Sequence, residues 1–292
     1  MRTKFFVGLL ALVFALFLCS PSHAAGHGEK QPMKKGILLV AFGSTIPAAQ
    51  ASFANIDKKV KAAFPEVPVR WAYTSHIIRK KLAKQGRFLD SPEAALAKML
   101  DEGYTHVAVQ SLHTIGGSEY HDLGRIVGAF KNMGGFQSIL LGYPLLATQE
   151  DMKRNVNAIL KIIPQDRKES DAVVLMGHGT HHPSNAFYAA LMFHLQRKDP
   201  RIFVGTVEGS PEIGEIRQML LEKGIKKAFL MPFMSVAGDH AVNDMAGDEE
   251  DSWQSVLKKA GIECVPVLKG TAEFAVFVDI WVDHLRSVLS HF

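Results

Sequence analysis

The sequence predicts an α/β protein of two similar lobes, each a parallel sheet flanked by helices, with a cleft between the lobes. Three observations predict it. Short apolar runs rich in Val, Ile and Leu alternate with longer amphipathic stretches, the pattern of strands covered on both faces by crossover helices. Several of these runs end in glycine-containing turns, as at Gly43-Ser44-Thr45, Gly116-Gly117 and Gly177-His178-Gly179. The pattern also repeats. Ile37 to Thr45 is echoed by Val173 to His181, Arg70 to Ser75 by Phe203 to Glu208, and Val107 to Leu112 by Ala228 to Phe233.

Residues 1–24 read as a cleavable secretory signal peptide: a basic start at Arg2 and Lys4, an apolar run from Phe5 to Leu18, and Ser22-His23-Ala24 before a cut at Ala25. The run is shorter than the ~20 residues that span a bilayer. A periplasmic protein with no stable membrane insertion is the expectation. Leu18 is too bulky before Cys19 for a lipid anchor. Cleavage leaves Cys264 as the single thiol, so no internal disulfide is expected and the core must hold the fold. With 33 basic and 29 acidic side chains, the net charge of +4 is too mild for nucleic acid and leaves acidic small molecules as partners.

After a flexible linker over 25–35, strand Gly36 to Phe42 leads to a helix opened by Pro47, with apolar spacing through Ala51, Ile56, Val60 and Ala63. Val67 to Tyr73 is the second strand, and Ile77 to Gln85 is a helix carrying Arg79, Lys80 and Lys81. Ser91-Pro92-Glu93 opens a helix that Gly103 stops; Thr105 to Leu112 is the third strand. A helix over Ser118 to Phe130, a strand over Ser138 to Leu141 and a helix over Glu150 to Ile163 complete the first lobe. The polar break Pro164 to Ser170 divides an N-terminal lobe, 36–165, from a C-terminal lobe, 166–292.

The second lobe carries the chemistry. Ala172 to Gly177 reads as a buried strand delivering His178 to the carboxyl edge of the sheet, where open α/β sheets bind ligands. Glu208 follows the next strand, before Gly209 and Pro211; Glu212 better suits a helix-start acid. Ala237-Gly238-Asp239 reads as a turn into a helix capped by Asp239, with His240 in its first turn. Alone, each of these has an ordinary reading as a loop or helix-start side chain. Jointly, two imidazoles and a carboxylate at three strand ends make a ligand set for Co²⁺, Ni²⁺, Zn²⁺ or Fe²⁺. The first lobe has Phe42 and Glu119 at the positions of His178 and His240.

His181 and His182 lie in the loop beside Pro183 and are secondary candidates. His113 and His121 lie near a glycine-rich strand end, and either has the donor for a second ligand, including one axial position of a haem iron. Arg79, Lys80 and Lys81, beside a cleft, would attract a substrate with several carboxylates. The acidic run Asp248 to Asp251 reads as solvated surface.

Taken together, Leu39-Val-Ala-Phe-Gly-Ser44, Ala72-Tyr-Thr-Ser75 with Ile78-Arg-Lys-Lys-Leu82, Val109-Gln-Ser-Leu-His113, Leu175-Met-Gly-His-Gly179, Val207-Glu208 and Met231 to Met245 with Asp251-Ser-Trp253 resemble the anaerobic cobalt chelatases. The resemblance spans essentially everything after the leader. It implies a class II chelatase with a ferrochelatase-like fold that inserts Co²⁺, or Fe²⁺, into sirohydrochlorin, a reduced tetrapyrrole with eight carboxylates. It places the family's metal ligands on His178, Glu208 and His240, with His178 and Glu208 as bases for the pyrrole protons. It implies no nucleotide, in keeping with the lack of a Gly-x-x-x-x-Gly-Lys-[Ser/Thr] loop. It also implies a homo-oligomer. An export leader departs from a cytoplasmic pathway, so the alternative expectation is an exported haem or metal carrier on the same fold.

Overall fold

The computed structural model describes residues 32–292; the expected leader, and the linker as far as residue 31, lie outside the described residues. The first half runs β1 (Lys35–Ala41), α1 (Pro47–Ala63), β2 (Val69–Tyr73), α2 (His76–Ala83), α3 (Pro92–Asp101), β3 (His106–Ser111), α4 (Ser118–Met133), β4 (Ser138–Gly142) and α5 (Gln149–Ile162). The second runs β5 (Ala172–Gly177), α6 (Ala186–Gln196), β6 (Ile202–Thr206), α7 (Ile213–Glu222), β7 (Lys227–Pro232), α8 (Trp253–Lys259), β8 (Glu263–Pro266) and α9 (Ala275–Leu289).

The strands form two parallel sheets, ordered β2-β1-β3-β4 and β6-β5-β7-β8. The two orders are the same, as an internal repeat requires. β1, β3 and β5 are buried nearly end to end, which explains their uninterrupted apolar sequence. β2 starts at Val69 rather than Val67, because the Val67 amide closes a turn on the Phe64 carbonyl and Pro68 has no amide to donate. Helix starts follow local chemistry: Ser75 caps α2, Ser91 caps α3 ahead of Pro92, and Thr148 with Asp151 forms a capping box on α5.

Alternation along the strands distributes side chains among three cores. Leu38 and Val40 face a core private to the first sheet, and Val174 and Met176 one private to the second. Ile37, Leu39, Ala41, Val173, Leu175, Phe229 and Met231 belong to a third core that is continuous from one sheet to the other.

The C-terminal helix crosses the boundary expected at residues 165 and 166. α9 packs on β3, β4, α1 and α5, placing Phe277, Trp281 and Leu285 in the shared core. It is fastened there by His284, whose Nε2 donates to Asp151 Oδ1 at 2.8 Å and whose Nδ1 lies 3.1 Å from the Tyr143 carbonyl. Burial pushes the Asp151 carboxyl up, but hydrogen bonds from His284 and Thr148 outweigh it and hold the group below its ordinary value. Among the described residues no helix is long and apolar enough to cross a membrane.

Candidate metal centre

β5 delivers the first candidate ligand, His178, through two glycines that the packing demands. A Cβ on Gly177 would lie 2.4 Å from the ring of Tyr188, and one on Gly179, at φ +82°, would lie 2.8 Å from Thr206 and 2.9 Å from the Glu208 backbone. Tyr188, buried on α6, sets its hydroxyl against the amides of His178 and Gly179. Burial pushes this phenol far above its ordinary value, so it stays neutral.

The second candidate, Glu208, is fixed to the first by main chain. The Glu208 amide donates to the His178 carbonyl at 2.8 Å, and the Val207 amide to the same carbonyl at 3.1 Å. Asn185 then joins the flanking loops, accepting from the Thr180 amide at 3.1 Å and donating to the Ser210 carbonyl at 2.7 Å. Thr206, Glu212, Asp244, Asp251 and Trp253 line a cavity of about 250 Å³ beside this turn.

His240 comes from the connection after β7. It begins a π-helical segment, His240–Met245, rather than an ordinary helical turn. Asp239 does not cap it, as the sequence suggested; its carboxylate is occupied by the Asn243 side chain at 3.0 Å. Instead Asp244 holds the His240 Nδ1, leaving Nε2 with the lone pair. The His178 Nδ1 faces only acceptors, the Gly179 carbonyl at 3.1 Å and Glu208 Oε2 at 3.8 Å, so its free pair is also on Nε2.

The rings of His178 and His240 meet at 4.7 Å and 86°, and one ligand atom from each of His178, Glu208 and His240 falls within 4.8 Å of the others. Tetrahedral ligands ~2.1 Å from an ion stand about 3.4 Å apart, so binding draws these atoms in by about an ångström, the scale of a side-chain rotation. Their side chains are 39%, 53% and 32% exposed, so the ion would keep positions open to a large incoming molecule.

The first lobe faces this centre with Phe42, whose ring lies 6.4 Å from His178. His113 is half-buried, its Nδ1 bound to Ser111 Oγ at 2.8 Å and its Nε2, out of solvent, 4.0 Å from Glu119, too far for a hydrogen bond. Burial, then the nearby His178, pulls its pKa down to about 4, so it is neutral at pH 7. His121 is exposed and its ring lies 4.8 Å from that of His182 across the lobes. His182 accepts from the Ser184 amide through Nδ1 at 3.2 Å, capping a short 3₁₀ turn; it and His181 stand outside the three-residue cluster. His76 is an exposed first residue of α2, and of the basic trio Lys80 and Lys81 are exposed while Arg79 is half-buried.

Sequence reasoning missed Tyr188, Asn185 and Asp244. Only Asp244 had a signal, its spacing of four from His240.

A model of the cobalt chelatase family, CbiK, matches residues 35–290. The chain belongs to the cobalt chelatase family. The sirohydrochlorin cobaltochelatase CbiKC of Nitratidesulfovibrio vulgaris is 48% identical over 257 residues, 88% of this chain and 91% of that protein. The sirohydrochlorin cobaltochelatase of Salmonella typhimurium is 37% identical over 262 residues, 88% of this chain and 97% of that one. Among solved structures, SirB from Bacillus subtilis with Fe³⁺ superposes with a TM-score of 0.58 at 19% identity, covering 88% of this chain and 96% of SirB. That likeness carries the class II chelatase fold expected from the sequence.

Proposed function

We propose that this cobalt chelatase family member inserts Co²⁺ into sirohydrochlorin, with His178, Glu208 and His240 as the groups that hold the ion. The observation that carries the reading is the convergence of these three donors from the connections that follow three strands, in a chain whose curated relatives are named sirohydrochlorin cobaltochelatases. Two imidazoles and a carboxylate suit Co²⁺; they suit Fe²⁺ equally, and the relatives' names favour cobalt.

Asp244 orients the His240 ring and makes its Nε2 a better donor. As the macrocycle settles over the ion, two pyrrole protons must leave for one dication to enter, so the charge stays balanced. The His178 Nε2, its lone pair released as the ion passes to the macrocycle, takes the first. Glu208, exposed beside it, takes the second. The reaction needs no nucleotide.

The test is Co²⁺ insertion into sirohydrochlorin, followed by absorbance. We expect His178→Ala to lower the rate at least about hundredfold. Insertion at the wild-type rate by that variant removes the assignment.

Three further proposals follow. Export rests on the pattern of residues 1–24, and the mass of the mature protein checks it, an N-terminus at Ala25 being expected. A haem in place of the expected pair is supported on His121 alone, since it is exposed while the ring nitrogens of His113 are turned inward. A Soret band that survives in His121→Ala would remove it. Association into a homo-oligomer is checked by light scattering of the purified chain.

A further inference from the structure

Arg79 departs from the usual treatment of a buried charge. It is half-buried on α2, and its Nε lies out of solvent without a hydrogen-bond partner. Among the described residues its guanidinium makes no ion pair and no side-chain hydrogen bond. Burying such a donor unpaired is costly, and proteins ordinarily avoid it. Thr74, the residue after β2, repeats the anomaly: its Oγ1 is buried and unpartnered.

The two orphans line the same cavity, about 190 Å³ in volume, with Pro92, Glu93, Glu119 and Asp122. The three carboxylates are exposed, so water and salt screen them. Thr74 and Arg79 are the less exposed members, and both have donors with nothing to donate to. A forked guanidinium beside a hydroxyl is the chemistry that recognises a carboxylate.

The cavity lies at the carboxyl edge of the first sheet. It shares Glu119 with His113, and His113 is within electrostatic reach of His178. A tetrapyrrole centred on the metal ligands would carry its acidic side chains outward, toward this edge.

We propose that Arg79 and Thr74 form a subsite for one peripheral carboxylate of the tetrapyrrole, the guanidinium donating through Nε and a terminal nitrogen and the threonine through its hydroxyl. The proposal rests on the chelatase reading for the identity of its ligand. It singles out Arg79 from its neighbours Lys80 and Lys81, which are exposed. Arg79 here binds and positions substrate and takes no part in the proton transfers.

The test uses the full-length mature protein, with metal-free sirohydrochlorin as probe, its fluorescence quenching giving Kd and cobalt insertion giving KM and kcat. Arg79→Gln is expected to raise Kd and KM about ten- to hundredfold while kcat changes less than about threefold. Arg79→Lys keeps the charge without the fork and falls between. Thr74→Val weakens binding less, by about threefold to tenfold. Lys84→Gln, an exposed charge removed from the other end of α2, gives wild-type values. Kd and KM of Arg79→Gln within about twofold of wild type overturn the subsite, as does a fall in kcat alone. If Arg79→Gln does not fold, wild-type binding by both Arg79→Lys and Thr74→Val overturns it. A wild type that binds sirohydrochlorin through Arg79 yet inserts no cobalt upholds the subsite and removes the chelatase reading; one that does not bind sirohydrochlorin removes both.

Discussion

Tyr188 backs the candidate metal centre, its ring against Gly177 and its hydroxyl beside the amides of His178 and Gly179. Tyr188→Phe keeps the ring and strips the hydroxyl from beside the His178 and Gly179 amides, a loss of about 0.5–1.5 kcal/mol. We expect this variant to stay folded and to bind Co²⁺ about tenfold more weakly, measured by equilibrium dialysis, because the turn presenting His178 loses its backing. Nothing in the sequence marks that tyrosine, since it is one of several large apolar residues in α6. His178 and Glu208 were legible for the opposite reason, each a polar donor placed just after an apolar strand, and His240 because it follows a glycine turn into a helical segment. Asp244 was within reach of the sequence, since a spacing of four from His240 puts two side chains on one face of a helix, although the segment is π-helical. Arg79 was legible as a charge near the cleft, but its lack of a partner is a property of packing alone.

The strands and helices of the first half follow the sequence closely, since glycine, proline and capping residues punctuate nearly every element. Where α9 docks could not be read, because an amphipathic helix announces that one face is covered without saying by which sheet. Its fastening depends on Asp151. The folded-state pKa of that carboxyl is held below its ordinary value, so its contribution is complete above the unfolded pKa, ~3.9, and is lost as pH falls through the folded value. Asp151→Asn is therefore expected to lower the urea midpoint at pH 7 and to converge on wild type as the pH falls below that folded value. An equal gap at every pH would show that the charge of Asp151 contributes nothing.

The two sheets have the same strand order, and the repeat that predicts this is visible in the sequence. Their merger through one core is not, because each lobe's periodicity is satisfied equally well by a private core. Trp281, 1% exposed in that merged core, tests the merger. Its replacement by alanine is expected to cost about 3–5 kcal/mol and to shift a single unfolding transition. Two separated transitions, with only one moved, would mean that the lobes fold independently. With α9 laid on the first sheet and the strands of both halves rooted in the same apolar mass, the gap above the ligands is set when the chain folds. A flat, stiff ring system brought to such a gap has to do the yielding itself, and the protein resembles a fixed mould more than a hinged jaw.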